Sequence, residues 1–504
     1  MRSTLLTLLV SCALVLSGCP SAGPAVRPSG TKTPEVEQKK LQSGALAMVC
    51  RWKMPVPPER PVLGLKLLGT SQAVQQVRRV RSPTAEHPLR VAHYGDSHSL
   101  GGIFARTLSR LWSSDFPVSP GFVTPGHPYF WSAKVERGEG WERQNWLWKQ
   151  DTGPFGPMGL AFIPREPGAT MTLEITDKAA PEEGIEVDAL YAGYPNHAPF
   201  ELVSGEDRLA FVDGEPGDGD GVPLRVETVT LPPGSKSLTL HVPGVENGTP
   251  APFRFFGFVV RYPGSAMEWN SMGVGGTRAY HPHRRGDETF DQYLQLFPPD
   301  LLVVWYGTNT GVAKELDEAS YTRSFDGLLS RLRASAPDAG CVVVGPPDMM
   351  RRSKSCFLSK SERRCLGKRS GRCRKLLRRG REARTCRPDD LASMRHGRKT
   401  YPVPGVKSEE GWEEYKETCA FETPEALKTV VRVQRKVALK HECLYFDTFE
   451  NMGGSGSVWK WACELDPLLA RDDLIHLTND GYALVAKTVY EAIQYVLNRE
   501  PCED

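Results

Sequence analysis

Three short, almost continuous apolar runs constrain the fold of this chain most strongly. They read LRVAHYG at Leu89–Gly95, LLVVWYG at Leu301–Gly307 and CVVVGPP at Cys341–Pro347. Strands with both faces covered lose the apolar–polar alternation of half-exposed strands, so such runs favour a buried parallel sheet. Helical patterns follow the first two runs and also fill the last 26 residues, with Ser320 and Asn479 as the candidate N-caps. Strands alternating with helices predict an α/β sandwich.

The region from 120 to 263 has a different character. It is rich in Gly and Pro and alternates in TMTLEI, KSLTLHV and FRFFGFVVRY, which predicts an antiparallel β domain. Its segment VDGEPGDGDG, Val212–Gly221, spaces acidic residues as a calcium loop does. Because the downstream bidentate Glu of such a loop is missing, a polar turn is the favoured interpretation.

The first residues are typical of an export signal. MRSTLLTLLVSCALVLSGC has one Arg, a short apolar run and then small residues, and no later stretch of the sequence is apolar enough to span a bilayer. Leu16-Ser17-Gly18-Cys19 resembles a bacterial lipobox, in which Cys19 receives the lipid. The alternative is an ordinary signal peptide with a chance Cys. Residues 20–45 are rich in Pro, Gly, Ser and charge and are expected to form a flexible tether.

Ten of the twelve cysteines lie outside this N-terminal segment. An even number in an exported chain predicts disulfides, whose pairing the sequence does not give. Five of them fall within one stretch, at Cys356, Cys365, Cys373, Cys386 and Cys419. Zinc binding is the alternative for that stretch, but no CxxC pair occurs anywhere.

The same part of the chain is strongly basic. Residues 351–399 hold 19 Lys and Arg against 4 Asp and Glu, a local charge of +15 in a chain with a net charge of only +3. Such a run is most often a solvated face. Binding of an anionic polymer or lipid surface is the functional alternative, whereas an exported protein rarely meets nucleic acid.

Four short motifs carry the residue types of a serine hydrolase. Ser97 in GDSHS follows the first apolar run, and Asp473 and His476 lie three apart in DLIH. A serine hydroxyl needs an adjacent base, an orienting carboxylate and donors for the oxyanion. Asn309 in YGTN ends the second run, and the Gly-rich MGVGGTR at Met272–Arg278 brings backbone N–H groups close to a ligand. Strand ends at one edge of an open α/β sheet are the expected ligand site.

In their combination and order these motifs resemble the SGNH, or GDSL-like, hydrolases. The resemblance implies a flavodoxin-like three-layer sandwich with a parallel sheet. It also implies that Ser97 is the nucleophile, His476 the base and Asp473 its orienting partner. The oxyanion hole is then formed by the N–H of Ser97, the N–H of Gly276 and the side chain of Asn309. Gly275 and Gly273 are alternatives to Gly276, and His98 is expected to pack beside the turn. GDSHS is not the G-x-S-x-G elbow of the α/β-hydrolases.

The resemblance covers about half of the chain, and two insertions separate its parts. The block order and the β-rich insertion look like the peptidoglycan O-acetylesterase branch, which carries a carbohydrate-binding-like module there. Four Trp residues lie near the start of this insertion: Trp131, Trp141, Trp146 and Trp148. They are either platforms that stack on sugar rings or anchors in the core. The expected organisation is signal peptide 1–19, linker 20–45, hydrolase parts 46–119, 264–350 and 421–504, β-rich insert 120–263 and Cys-rich basic insert 351–420.

We therefore expect an exported, lipid-anchored serine esterase that removes O-acetyl groups from a cell-envelope polysaccharide such as peptidoglycan. Its expected partners are acetylated cell-wall or capsular polysaccharide and, through the lipid on Cys19, a bacterial inner or outer membrane. No metal or organic cofactor is implied, and no nucleic acid. An O-acetyltransferase with the same triad is the nearest alternative, and an inactive glycan-binding protein of the envelope is the other.

Overall fold

The structure is a computed structural model, and it contains an α/β part and an antiparallel β part in one chain. It describes residues 49–53, 66–80, 84, 86–113, 116–126, 132–147, 151, 153–193, 197–214, 224–243, 253–283, 288–352, 421–463, 465, 467–471 and 473–498. Cys19, the tether, nearly all of the basic insert and most of the candidate calcium segment lie outside the described residues. No helix among the described residues is long and apolar enough to cross a membrane.

The described elements are twenty-one strands and ten α-helices, with a short 3-10 helix at His281–His283. The strands are β1 Val49–Lys53, β2 Lys66–Thr70, β3 Leu89–Gly95, β4 Val118–Ser119, β5 Gly121–Val123, β6 Ala133–Arg137, β7 Trp141–Asn145, β8 Leu160–Pro164, β9 Thr170–Ile175, β10 Glu186–Ala192, β11 Phe200–Ser204, β12 Asp207–Val212, β13 Leu224–Thr230, β14 Ser237–His241, β15 Arg254–Arg261, β16 Met267–Gly273, β17 Leu301–Trp305, β18 Gly340–Val344, β19 Arg351–Arg352, β20 Phe421–Glu422 and β21 Leu444–Phe446. The helices are α1 Ser71–Arg79, α2 Ser97–Leu100, α3 Ile103–Trp112, α4 Glu288–Leu296, α5 Thr308–Gly311, α6 Glu318–Ser335, α7 Glu425–Lys440, α8 Thr448–Met452, α9 Ser457–Cys463 and α10 Asn479–Leu497.

The central sheet has eight strands in the order β1-β2-β21-β18-β17-β3-β16-β4. The strands from β21 to β4 run parallel to one another, and β2 and β1 add an antiparallel edge. Counted from β3, the five long parallel strands follow the doubly wound order 2-1-3-4-5, in which the chain changes direction between the first and third strands. Those strands are β3 and β17, so a ligand site is expected at their carboxyl ends.

Helices cover both faces of this sheet, because successive residues of each strand point to opposite sides. Val303 belongs to the apolar cluster that contains residues of α1, α3 and α10, whereas its neighbour Val304 belongs to the cluster that contains residues of α4, α6 and α7. All five residues of β17 are buried, as a doubly covered strand requires. The predicted α/β architecture is thus observed, with a mixed rather than purely parallel sheet.

The predicted antiparallel region forms two further sheets. One has the order β13-β10-β15-β8-β7, with β5 also paired to β15, and the other has the order β12-β11-β14-β9-β6. Alternation in β9 places Met171, Leu173 and Ile175 in the core between the sheets. This core holds Trp141, while Trp146 packs in the apolar cluster shared with the α/β part.

Two predicted helix N-caps are wrong by one to three residues. Helix α6 is capped by Asp317, whose carboxylate accepts from the N–H of Ala319, and not by Ser320. Helix α10 is capped by Thr478, whose hydroxyl accepts from the N–H of Gly481, and Asn479 is its first helical residue. Asp and Thr bind the free N–H groups of a first turn as well as Ser and Asn do, so residue type alone does not choose among neighbouring candidates.

One disulfide joins Cys341 of β18 to Cys443, the residue before β21. Cys341 is the second residue of β18 and Cys443 directly precedes the adjacent parallel strand β21, and both residues are buried. The predicted presence of disulfides is thus met at this pair. The five cysteines of the basic insert lie outside the described residues.

Candidate active site

Ser97 follows a tight turn at Gly95, a position with almost no room for a side chain. Strand β3 ends at Gly95, where a Cβ atom would lie 1.9 Å from Ser99 Oγ and 2.6 Å from the carbonyl oxygen of Trp305. The chain then turns at Asp96, whose carboxylate caps α2 by accepting from the N–H of His98. Ser97 is therefore the first residue of α2, at the carboxyl end of a buried strand.

His476 and Asp473 lie next to this serine in one hydrogen-bonded row. Ser97 Oγ is 2.9 Å from His476 Nε2, and His476 Nδ1 is 2.8 Å from Asp473 Oδ2. An ionised carboxylate can only accept hydrogen bonds. Nδ1 of His476 therefore carries the ring hydrogen and donates a hydrogen bond to Asp473. Nε2 is then free to accept from the Ser97 hydroxyl, which is the tautomer that a general base needs.

Asp473 stays ionised because it is held by several donors. Burial raises the pKa of this carboxyl, but the ring N–H of His476 and the backbone N–H groups of His476 and Ile475 outweigh burial and set the pKa at about 2. A fixed negative charge beside the ring stabilises the imidazolium that forms when His476 takes a proton.

The turn that carries Asp473 and His476 is held by hydrogen bonds to neighbouring segments. Leu474, between them, has a left-handed φ of 56° and is buried, and its carbonyl accepts from the N–H of Met350. The N–H of Arg471 donates to the carbonyl of His476. A non-glycine residue in this region is uncommon, and here the surrounding contacts hold it.

The glycine turn after β16 reaches the same edge of the sheet. The N–H of Val274 donates to the carbonyl of Gly95, so the turn is tied to the end of β3. The hydroxyl of Thr277 donates to the carbonyl of Val274 at 2.6 Å and lies 3.2 Å from the same Gly95 oxygen. Asn309 Nδ2 donates to the carbonyl of Thr277 at 3.0 Å, so the second N–H of its amide remains for another acceptor. The structure thus brings Ser97, Gly276 and Asn309 to one edge of the sheet.

The three glycines of this turn have different surroundings. A Cβ on Gly273 would lie 2.5 Å from the backbone of Ser99, so this residue provides the close packing of β16 on α2. Gly275 has ordinary space, with Leu100 3.5 Å from its Cβ position. Gly276 has a φ of +83° and nothing within 4 Å of its Cβ position. Among the three, Gly276 has the exposed, left-handed backbone that favours glycine at a ligand site.

Two buried titratable groups lie beneath the site. Burial raises the pKa of Asp96 to about 7, although the N–H of His98 and the nearby His476 oppose this shift. Burial lowers the pKa of His98 to about 3. The His98 ring stacks on Trp305, and its Nδ1 shares a hydrogen bond of 3.1 Å with the hydroxyl of Tyr482. His98 is therefore a neutral packing residue, as expected from the sequence.

Sequence reasoning missed the residues that support this site. The Thr277 hydroxyl closes the glycine turn by donating to Val274, the Thr277 carbonyl holds the Asn309 amide, and Tyr482 holds His98. Thr277 directly follows the Gly run, so its position was a usable signal. Tyr482 had none, because it lies 384 residues from His98 in sequence.

Other predicted site residues are not part of this arrangement. Trp141 and Trp146 are 8% and 4% exposed, so they are core anchors rather than sugar platforms, and Trp131 and Trp148 lie outside the described residues. Among the described residues no group of His, Cys, Asp and Glu is arranged to hold a metal ion.

Comparison with known proteins adds to this geometry at the level of the fold. A solved structure of a peptidoglycan O-acetylesterase matches with a TM-score of 0.56 and 17% sequence identity, covering 85% of this chain and 95% of that chain. This chain is similar in fold to that esterase. The likeness supports the SGNH-like fold that the motifs predict.

Two further solved structures are less similar. A structural-genomics target protein from Bacillus subtilis matches at 10% identity and a TM-score of 0.27 over 72% of this chain and 90% of its own. CsCBM6-3 from Clostridium stercorarium, in complex with cellobiose, matches at 14% identity and a TM-score of 0.20 over 29% of this chain and 97% of its own. Neither likeness is high enough to carry an argument. No family model and no curated protein matches the chain.

Proposed function

We propose that this chain is a serine esterase that removes O-acetyl groups from a cell-envelope polysaccharide such as peptidoglycan. The observation that carries the proposal is the row of hydrogen bonds from Ser97 through His476 to Asp473, with contacts of 2.9 and 2.8 Å. It lies at the strand-order switch point of the central sheet, where α/β folds bind ligands. The similarity in fold to a peptidoglycan O-acetylesterase supports the choice of substrate class.

The proposed reaction has two steps. Ser97 Oγ attacks the acetyl carbonyl while His476 Nε2 takes its proton, and the tetrahedral oxyanion is held by the N–H groups of Ser97 and Gly276 and by the Asn309 amide. Collapse breaks the bond to the sugar oxygen, which leaves with the proton from His476. Water, activated by the same ring, then attacks the acetyl-serine and releases acetate.

The decisive test is covalent labelling at Ser97. A fluorophosphonate probe is expected to label the wild-type chain at Ser97 alone, and Ser97→Ala is expected to lower kcat for p-nitrophenyl acetate by roughly 10⁴-fold or more. His476→Ala should lose nearly as much, and Asp473→Ala less. Labelling elsewhere, or unchanged turnover in Ser97→Ala, would contradict the proposal.

Acetate release from O-acetylated peptidoglycan, with and without a sugar acceptor, tests the natural reaction. Hydrolysis predicts free acetate at the same rate in both. Transfer of the acetyl group to the acceptor would instead identify an O-acetyltransferase that uses the same residues.

We also propose that the chain is exported and anchored by a lipid on Cys19. The apolar run and the lipobox-like Leu16–Cys19 support this location. Cys19→Ser is expected to release the protein from the membrane fraction into the soluble fraction. Retention of the variant in the membrane would contradict a lipid anchor.

A further inference from the structure

Two arginines belong to the segments that adjoin Asn309 and its helix α5. Arg278 directly follows Thr277, whose carbonyl accepts from Asn309 Nδ2. Arg351 reaches α5 from the other direction, since its Nη1 lies 3.5 Å from the carbonyl oxygen of Val312, three residues after Asn309. Both residues therefore belong to segments that contact the Asn309 amide or the end of its helix.

Arg278 has a fixed backbone and an uncommitted side chain. Its N–H donates to His281 Nδ1 at 2.8 Å, and its carbonyl accepts from the N–H of His281 at 3.0 Å. Within the described part of the chain its guanidinium has no hydrogen bond and no salt bridge. Arg278 as a residue is half-buried, and a guanidinium whose five donors meet no described partner is suited to bind an anion from outside the chain.

Arg351 is also only weakly engaged. Its Nη2 lies 3.9 Å from a carboxylate oxygen of Glu422, and both side chains are partly exposed, so this ion pair contributes little. The preceding residue, Met350, donates its N–H to the carbonyl of Leu474, between Asp473 and His476. Arg351 is thus connected to the histidine turn on one side and to α5 on the other.

The carboxylates of the site do not neutralise these cations. Asp473 is occupied by His476 and two backbone N–H groups. Asp96 is completely buried beneath the serine turn, and burial raises its pKa to about 7, so its charge is reduced near neutral pH. Neither Asp473 nor Asp96 therefore forms an ion pair with Arg278 or Arg351 within the described part of the chain.

We propose that Arg278 and Arg351 bind a carboxylate on the substrate, so that the preferred substrate is an acetylated sugar acid. This inference rests on the proposed function and specifies its substrate class. Arg278 is the principal contact, because no described residue engages its guanidinium and a guanidinium forms two parallel hydrogen bonds to a carboxylate. Uronic acids and muramic acid without a stem peptide share this chemistry, and the experiment separates them.

The test compares each acid with its uncharged primary amide. The substrates are O-acetylated N-acetylmuramic acid, O-acetylated glucuronic acid and the amide of each, with p-nitrophenyl acetate as the neutral reference. For the wild type we expect a lower KM for at least one acid than for its amide, and the acid with the larger difference identifies the sugar. In Arg278→Gln the KM for that acid is expected to rise about tenfold, with kcat and both amide values unchanged.

Two variants serve as controls. Arg278→Lys keeps the charge but not the fork of donors, so it should recover part of the affinity for the acid. Arg110→Gln removes an exposed arginine from the last turn of α3 and should leave every KM unchanged. Arg351→Gln is expected to raise the KM for the acid by a smaller factor than Arg278→Gln.

Each other outcome has a definite meaning. Equal KM values for acid and amide in the wild type, or an equal rise for both in Arg278→Gln, would overturn the inference while p-nitrophenyl acetate hydrolysis keeps the proposed esterase intact. Turnover of p-nitrophenyl acetate with none of the sugar acids would also overturn it. If p-nitrophenyl acetate turnover and Ser97 labelling both fail, the proposed function fails and the inference with it.

Discussion

His93 is a buried histidine that takes no part in the candidate active site. It lies in β3 and is completely buried, and neither ring nitrogen has a hydrogen-bond partner among the described residues. Its ring packs against Phe104 at 5.3 Å and Trp269 at 5.8 Å between centroids, as an aromatic core residue does. Two unpaired ring nitrogens in such a place cost stability.

We predict that His93→Phe stabilises the chain by about 1–3 kcal/mol at pH 7. Burial lowers the pKa of His93 from 6.5 to about 3. Between these values the unfolded chain binds more protons than the folded one, so stability falls as the pH falls. The gain from His93→Phe should therefore increase by about 2 kcal/mol at pH 5, which urea unfolding at both pH values measures. A gain independent of pH would show that His93 is not held neutral.

Asn309→Ala tests the residue-level assignment of the oxyanion donor. The variant loses one donor to the developing negative charge and should lower kcat for p-nitrophenyl acetate by roughly 10²–10³-fold, with little change in KM. Thr277→Val, which replaces the hydroxyl beside the carbonyls of Val274 and Gly95 by a methyl group of similar size, is the matched comparison and should have a smaller effect. A change confined to KM in Asn309→Ala would assign Asn309 to substrate binding.

At the scale of residues, the sequence predicts well which side chains lie close together when each of them follows a strand of the same sheet. Ser97 and Asn309 end adjacent strands, so the topology alone brings them together. Burial of individual side chains was less accessible. Trp141 and Trp146 could have been platforms or anchors, because the sequence does not say which face of an antiparallel sheet is covered.

Among the elements, strand positions were predicted more accurately than helix starts. Strands β3 and β9 begin and end where their apolar patterns do, at Leu89–Gly95 and Thr170–Ile175. Helix starts depend on which of several neighbouring polar side chains meets the free N–H groups, and this is decided by backbone geometry. For this reason the N-cap of α6 is Asp317 and not the predicted Ser320.

This correction gives a matched pair of variants. Asp317→Ala removes the side chain that accepts from the N–H of Ala319 and should destabilise the chain by about 1 kcal/mol. Ser320→Ala changes an exposed residue inside the helix and should be neutral or slightly stabilising, because Ala favours helix more than Ser. Thermal unfolding of the two variants measures the difference, and equal effects would refute the assigned cap.

For the whole molecule, the basic insert begins and ends at paired residues. Arg351 and Arg352 of β19 pair with Glu422 and Phe421 of β20. Replacement of residues 353–420 by a two-residue Asn-Gly turn should therefore leave the fold intact, since that turn closes a hairpin. The Cys341–Cys443 disulfide lies outside the deletion and keeps both partners.

If the insert binds an anionic glycan, this deletion lowers activity on acetylated peptidoglycan and leaves p-nitrophenyl acetate hydrolysis unchanged. Raising the salt concentration should have the same selective effect on the complete chain, because salt screens exposed charges. Equal loss with both substrates would argue against a role of the insert in substrate binding.

The β-rich insert differs in a way that bears on the history of such a chain. Its two ends also lie together, since β4 and β16 are neighbours and the N–H of Ser119 donates to Ser265 Oγ. Its face, however, shares one apolar cluster with the α/β part, in which Phe122 and Phe256 pack together with Tyr94 and Phe290. A lineage that lost this module in a single deletion would expose the aromatic surface beneath it and aggregate. The module can therefore be gained or lost only together with polar substitutions on the hydrolase, so relatives without it should carry charged or hydroxyl side chains where this chain has Phe290.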